Sequence, residues 1–171
     1  IVGCGNIAGN IDNLAEVNAP PRSHAKAYNN NKNFDMVACI ETDPKKLLDF
    51  KSKWNIANGY ESFKKLLNDN IKIDIISICS PTELHLEHLH EALKLKPKLV
   101  FCEKPISNSL EETKSIIDLY RKSSVTLAIN YSRRFDKKIS KLKSHLGSLK
   151  YGELRSVTCH YNKGILNNGS H

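Results

Sequence analysis

Three short runs in this 171-residue chain have residue types and spacings suited to holding a phosphorylated ligand and doing chemistry beside it. The first is Gly3-x-Gly5-x-x-Ala8, directly after the apolar pair Ile1-Val2. Gly3 permits a tight turn, and Gly5 lets the backbone approach a pyrophosphate. A helix opening behind them offers unpaired N–H groups and the positive end of its dipole. This is the dinucleotide fingerprint with Ala in the third place. It predicts an acid at the end of the second strand, accepting from the adenosine ribose hydroxyls. Glu41 holds that place, 36 positions after Gly5, where about 20 is usual. The excess is assigned to residues 10–23, read as a loop inserted before a helix that begins near His24. A carboxylate there repels a 2′-phosphate, so NAD is the expected cofactor and NADP is disfavoured. Without a ligand, Glu41 is simply a surface acid at a strand end.

The second run is Ser80-Pro81-Thr82, and the third is Glu103-Lys104-Pro105. Each follows an apolar run read as a strand, and ligands bind at the carboxyl ends of parallel strands. Thr82 is also a candidate cap for the next helix. His85, His88 and His90 come next, and His85 and His88 stand three apart. No Cys or carboxylate set completes a site around them, so no metal is expected. Lys104 read blandly is a surface lysine at a strand end. Its bond to Pro105 is a candidate for the cis form.

The elements that must position these residues alternate between strand-like and helix-like segments, the pattern of repeated βα units around a parallel sheet. Strands are expected at 34–41, 73–79, 98–102 and 125–130, nearly continuous in apolarity as strands covered on both faces should be. Helices are marked by Leu47 to Trp54, by Leu86, Leu89 and Leu93, by Leu110, Thr113, Ile117 and Tyr120, and by Ile139, Leu142, Leu146 and Leu149. Asp43 before Pro44, and Ser109 before two acids, read as helix starts. Residues 153–163 alternate and read as a further strand. The predicted fold is α/β: a Rossmann-type doubly wound parallel sheet, plus the first strand of a truncated α+β second domain. The boundaries are 1–130 for the dinucleotide-binding domain and 131–171 for a linking helix and the start of the second domain.

Composition agrees with a globular protein, 40% apolar and 26% charged. No apolar stretch approaches the 18 or more residues of a membrane span, so no membrane partner is expected. The net charge is +8. Residues 131–155 hold eight basic and two acidic side chains, and therefore +6 of it. That segment reads as a solvated face or as a site for an anionic small molecule. Its few aromatics argue against a nucleic-acid platform, so no nucleic-acid partner is expected. None of the five cysteines forms a Cys-x-x-Cys pair. They read as reduced core thiols of a cytoplasmic protein. The chain opens on Ile1 without Met and closes on Asn168-Gly169-Ser170-His171. It is expected to be a fragment of a longer protein, inactive on its own.

In order along the chain, Gly3-Cys4-Gly5-Asn6-Ile7-Ala8, Glu41, Ile78-Cys79-Ser80-Pro81-Thr82-x-x-His85, Cys102-Glu103-Lys104-Pro105, Asn130-Tyr131-Ser132-Arg133-Arg134-Phe135 and Asn168-Gly169-Ser170-His171 resemble the glucose–fructose oxidoreductase/inositol dehydrogenase (Gfo/Idh/MocA) family. The resemblance covers essentially the whole chain, and Glu-Lys-Pro after a strand is its most specific element. It implies an oxidoreductase that moves a hydride between a nicotinamide and a hydroxyl of a sugar, cyclitol or nucleotide sugar, working as a homo-oligomer. It implies cofactor contacts from Gly3, Gly5, Asn6, Ile7, Ala8 and Glu41, from Ser80, Pro81, Thr82 and His85, and from Glu103, Lys104 and Asn130. Catalysis falls to Lys104, which reaches substrate and the nicotinamide ribose, and to His171 as proton acceptor. Arg133 and Asn167 join these two as candidate substrate contacts.

A histidine suits removal of an alcohol proton near neutral pH. A lysine beside a positive nicotinamide ring loses part of its preference for the charged form and can polarise the alcohol oxygen. Many relatives carry an acid where this chain has Asn167, and Asn cannot exchange a proton at neutral pH. Gly169-Ser170-His171 also matches a cloning remnant, although the preceding 164–168 fits a native histidine. The alternative function is a dinucleotide-binding sensor without turnover, for which Gly3, Gly5 and Glu41 suffice.

Overall fold

The computed structural model describes residues 1–15, 18–69, 71–150 and 152–160. The chain divides into two compact units, Ile1–Tyr131 and Ser132–His171.

Parallel strands form the first unit: β1 (Ala38–Ile40), β2 (Asn58–Tyr60), β3 (Ile75–Ile78), β4 (Leu99–Cys102) and β5 (Thr126–Ile129). β1 pairs with β2, and β3, β4 and β5 pair in that order. The segment Ile1-Val2-Gly3 joins the two sets. Val2 bridges Ile40 on one side and Ile78 on the other. Its N–H donates to Ser77 O at 2.8 Å, and its carbonyl accepts from Cys79 N–H at 2.7 Å. Gly3 N–H donates to Ile40 O at 2.8 Å. The chain therefore starts in the middle of the sheet, moves out through β1 and β2, and crosses to β3, β4 and β5. That reversal leaves a crevice at the strands' carboxyl ends beside the first segment.

Alternation along the strands feeds two cores. Ala38, Ile40, Ile76, Ile78 and Val100 pack with Leu66, Leu89, Ile116 and Tyr120 on one face. Cys4, Cys39 and Cys79 pack with Ala25, Phe50 and Trp54 on the other. Those side chains come from α1 (His24–Asn29), α2 (Pro44–Trp54), α3 (Phe63–Asn68), α4 (His85–Lys94) and α5 (Leu110–Arg121). α2 starts as its sequence predicts, with the Asp43 carboxylate accepting from Lys45 and Lys46 N–H and Pro44 in the first turn. Ser109 caps α5 by accepting from Glu112 N–H.

Several expectations change. The strand expected at 34–41 is only Ala38–Ile40, the three residues that pair with β2. β2 and α3 carry no strong sequence signal. Asn58 and Gly59 are poor strand formers that pair only because β1 lies beside them. Six residues are too few for α3 to show a helical stripe. The fingerprint opens a single π-helical turn, Asn6–Asn10, and not a full helix. The described residues that follow, 11–15 and 18–22, have no regular secondary structure, and Ser23 caps α1. This inserted loop is tied down. The Asp12 carboxylate, 4% exposed, accepts from Ser23 Oγ at 2.6 Å and Arg22 N–H at 3.1 Å. Lys53 Nζ donates to Gly9 O and Asp12 O at 2.9 and 2.7 Å.

The second unit contains a 3-10 turn, Ser132–Phe135, and α6 (Lys137–Gly147), capped by Asp136. Residues 152–160 have no regular secondary structure, so the strand expected at 153–163 is absent there. Alternation marks two faces, but a strand also needs a paired edge, and no described residue supplies one. No helix among the described residues is long and apolar enough to cross a membrane. A cavity of about 530 Å³ lies at the amino ends of β1 and β3, lined by Ile1, Met36, Ile73 and Lys98, away from the crevice.

Candidate active site

Gly3 sits at φ +81°, and a Cβ on it would lie 2.7 Å from Ser80 N and 2.8 Å from Ser80 Cα. Only glycine fits this turn, which presses the first segment against the end of β3. Gly5 differs. Its backbone is extended, at φ −84° and ψ −163°, and a Cβ there would meet nothing within 4 Å. The space over Gly5 is a cradle that a side chain would fill, which is what a close-lying pyrophosphate requires. Asn6 and Ile7 are exposed at its rim, and the first N–H groups of the turn they begin have no partner within it. Ala8 is fully buried in the second core, so its contribution is packing. Gly9 packs against the Trp54 indole with no room for a Cβ, a requirement the fingerprint does not reveal.

Glu41 follows β1 immediately. Its Oε2 accepts from Cys4 N–H at 2.9 Å, and its Oε1 accepts from Asp43 N–H at 3.2 Å and Thr42 Oγ1 at 3.3 Å. The carboxylate thus bridges the glycine turn to the strand end. A carboxylate has about four acceptor sites, so one remains open to a hydroxyl.

At the end of β3, Ser80 is 8% exposed and its Oγ lies 2.8 Å from His88 Nδ1. Burial lowers the His88 pKa from its ordinary value, favouring the neutral ring. Thr82 does not cap α4: it begins a 3-10 turn, Thr82–Leu84, and makes no capping hydrogen bond. Pro81 precedes that turn in an extended conformation, which Pro favours. His85 is 1% exposed, with Nδ1 2.7 Å from Pro105 O and Nε2 2.9 Å from Ser80 O. Both ring nitrogens face backbone carbonyls, and the N–H of a neutral ring donates to one of them. The structure therefore gives His85 a bracing place rather than one that touches a ligand.

At the end of β4, Glu103 is 8% exposed. Its Oε1 accepts from His24 Nε2–H at 2.9 Å and from Asn130 Nδ2–H at 2.5 Å. Burial opposes ionisation, but these donors, with Lys104 N–H, outweigh it and hold the carboxyl below its ordinary value. Glu103 and Asn130 thus bind each other, and Lys104 stands exposed beside them with a cis bond to Pro105. Nearby thiols are inert: burial pushes Cys102 up to about 12 and Cys79 higher still.

The sequence missed His24, Ser77 and Tyr28. His24 Nδ1 lies 3.3 Å from Ser77 Oγ, which lies 2.6 Å from Tyr28 Oη. The one available signal was Ser77, a hydroxyl inside an otherwise apolar strand. Arg133 lies in the second unit, within the 3-10 turn. Asn167 and His171 lie outside the described residues.

A glycine cradle, an acid after the second strand and a braced lysine thus share the carboxyl ends of one parallel sheet. Residues 1–131 match the model of the oxidoreductase family with an NAD-binding Rossmann fold. The chain belongs to the Gfo/Idh/MocA oxidoreductase family. Its first unit is an NAD-binding Rossmann fold, and the open face of Gly5 and the placement of Glu41 fit that cofactor.

Among relatives, the chain is 45% identical over 82 residues to the uncharacterized oxidoreductase YrbE of Bacillus subtilis, covering 48% of this chain and 24% of that protein. It is 35% identical over 108 residues to the myo-inositol 2-dehydrogenase of Thermotoga maritima, covering 63% of this chain and 32% of that protein. Among solved structures, an oxidoreductase from Agrobacterium radiobacter in complex with NAD+, L-tartaric acid and magnesium superimposes with a TM-score of 0.74. Its identity is 23%, with 89% of this chain and 40% of that one covered, a likeness of fold. The matched part is a quarter to two fifths of these family members' own length.

Proposed function

We propose that this chain is the cofactor-binding part of an NAD-dependent dehydrogenase that oxidises a secondary hydroxyl of a cyclitol or sugar. The observation that carries the reading is Lys104. It is exposed just after the carboxyl end of β4, the same end of the sheet as the Gly5 turn and Glu41. When bound, NAD supplies the hydride acceptor. The chain's residues do the rest. Gly5 leaves room for the diphosphate, and Glu41 accepts from the ribose hydroxyls and repels a 2′-phosphate. Lys104 donates a hydrogen bond to the alcohol oxygen and favours its loss of a proton. His171 is the proposed acceptor of that proton, and the homo-oligomer expected of the whole protein is part of the same proposal. The 35% identity to a myo-inositol 2-dehydrogenase makes a cyclitol the first substrate to try.

The test compares Lys104→Ala with the unaltered whole protein on myo-inositol and NAD. Turnover is expected to fall about 10²-fold or more while NADH affinity stays within a few-fold. Unchanged turnover would remove Lys104 from the chemistry and with it the reading.

A further inference from the structure

Lys104 stands between two residues that are each held by a buried histidine. On one side, Glu103 Oε1 accepts from His24 Nε2–H at 2.9 Å and from Asn130 Nδ2–H at 2.5 Å. The Lys104 backbone N–H is the weakest of the groups that hold the Glu103 carboxyl below its ordinary value. On the other side, Pro105 O lies 2.7 Å from His85 Nδ1, and His85 Nε2 reaches Ser80 O at 2.9 Å. His24 and His85 are 5% and 1% exposed, so neither reaches a ligand in the crevice.

The His24 ring is itself held. With Nε2–H donating to the carboxylate, Nδ1 accepts from Ser77 Oγ, and Ser77 accepts from the Tyr28 hydroxyl. Each donor in this chain then has one acceptor. Ser77, His24 and Glu103 stand in the order of a hydrolytic triad. Ser77 is 2% exposed inside β3, however, so no substrate carbonyl can reach its hydroxyl. That burial leaves the network one use, which is holding Glu103. The tyrosine ring also packs 5.2 Å from Phe34, anchoring the far end of the network at the sheet's amino side.

We propose that His24, Asn130 and His85 are positioning residues that clamp the Glu103–Lys104–Pro105 turn, so that Lys104 is presented to substrate from a fixed backbone. The clamp rests on the reading of Lys104 given above. A displacement of about 1 Å in a catalytic group costs on the order of 10²-fold in rate, so a residue that never touches substrate can govern turnover in this way. His85 lies between Pro105 O and Ser80 O, so one buried ring separates the cofactor side of the crevice from the lysine side.

Two measurements on His24→Phe and His24→Gln test the clamp. The first is amide hydrogen exchange in the chain itself. His24→Phe removes the donor to Glu103, and Glu103 N–H, which donates to Ile78 O at 2.9 Å, is expected to exchange about tenfold faster or more, while Val100 N–H in β4 changes less than twofold. His24→Gln, which keeps an N–H donor, should restore most of the protection. Equal change at Val100, or no change at Glu103, overturns the clamp. Should His24→Phe fail to fold, Asn130→Ala removes the second donor to the same oxygen. A rise confined to Glu103 supports the clamp there, and no rise refutes it.

The second measurement is turnover of the whole protein on myo-inositol. His24→Phe should lower kcat about tenfold or more with KM for NAD within twofold, and should lower the residual kcat of Lys104→Ala hardly at all. An equal further loss in the Lys104→Ala background contradicts a role exerted through the lysine. Unaltered turnover in Lys104→Ala alone refutes the reading of Lys104, and the exchange result still decides whether the clamp exists.

Discussion

Gly3 and Gly5 are two positions apart in one motif, and their substitution by alanine should have opposite effects on stability. At Gly3 the backbone is at φ +81°, where a Cβ costs about 1–2 kcal/mol. That Cβ would also lie 2.7 and 2.8 Å from backbone atoms of Ser80, which cannot rotate away. Overpacking of this kind adds about 1–3 kcal/mol. At roughly 2–4 °C per kcal/mol for a chain of this size, Gly3→Ala should lower Tm by about 10 °C. At Gly5 the backbone already suits any residue and the Cβ meets nothing. Gly5→Ala then removes freedom only from the unfolded chain, worth about 0.4–1 kcal/mol, and should raise Tm by about 1–4 °C. The same methyl fills the cradle, so NADH affinity should fall at least tenfold, about 1.4 kcal/mol. Calorimetry on each variant reads Tm, and a fluorescence titration with NADH reads Kd. A Gly5→Ala chain that melts lower, or binds NADH as tightly as before, would refute the assignment of that space to the cofactor.

Other outcomes follow from single groups. Glu41→Ala should narrow the preference for NADH over NADPH, read as the ratio of the two Kd values. The unaltered chain binding NADPH at least as tightly would contradict the ribose role. Glu103 is held below its ordinary pKa, so its contribution to stability is full above the unfolded value and is lost as pH falls through the lower folded value. The gap in urea midpoint between the unaltered chain and Glu103→Gln should therefore be largest at neutral pH and shrink below about pH 4. A gap that does not vary with pH would show that the carboxylate's charge is not what matters.

The strand-and-helix alternation was legible because burial on both sheet faces demands continuous apolar runs, and caps such as Asp43-Pro44 mark helix starts locally. Glu41 was legible once residues 10–23 were treated as an insertion, and the structure places α1 at His24 as that required. β2 was not legible, since Asn58-Gly59-Tyr60 owes its conformation to a neighbour far away in sequence. The polar network was not legible for the same reason. His24, Ser77, Glu103 and Asn130 come from four separate elements and meet only when the sheet forms. Residues 153–160 carry the alternating pattern and have no regular secondary structure, and 161–163 lie outside the described residues.

The proposed reaction moves a hydride from a carbon bearing a hydroxyl to NAD bound in this crevice. Incubating the whole protein with NAD and myo-inositol or glucose deuterated at the ring carbons, then weighing the reduced cofactor by mass spectrometry, tests that transfer directly. One deuterium is expected in the cofactor from at least one of these substrates, with loss of that signal in Lys104→Ala. Bound NAD that stays oxidised and unlabelled with every substrate would contradict it.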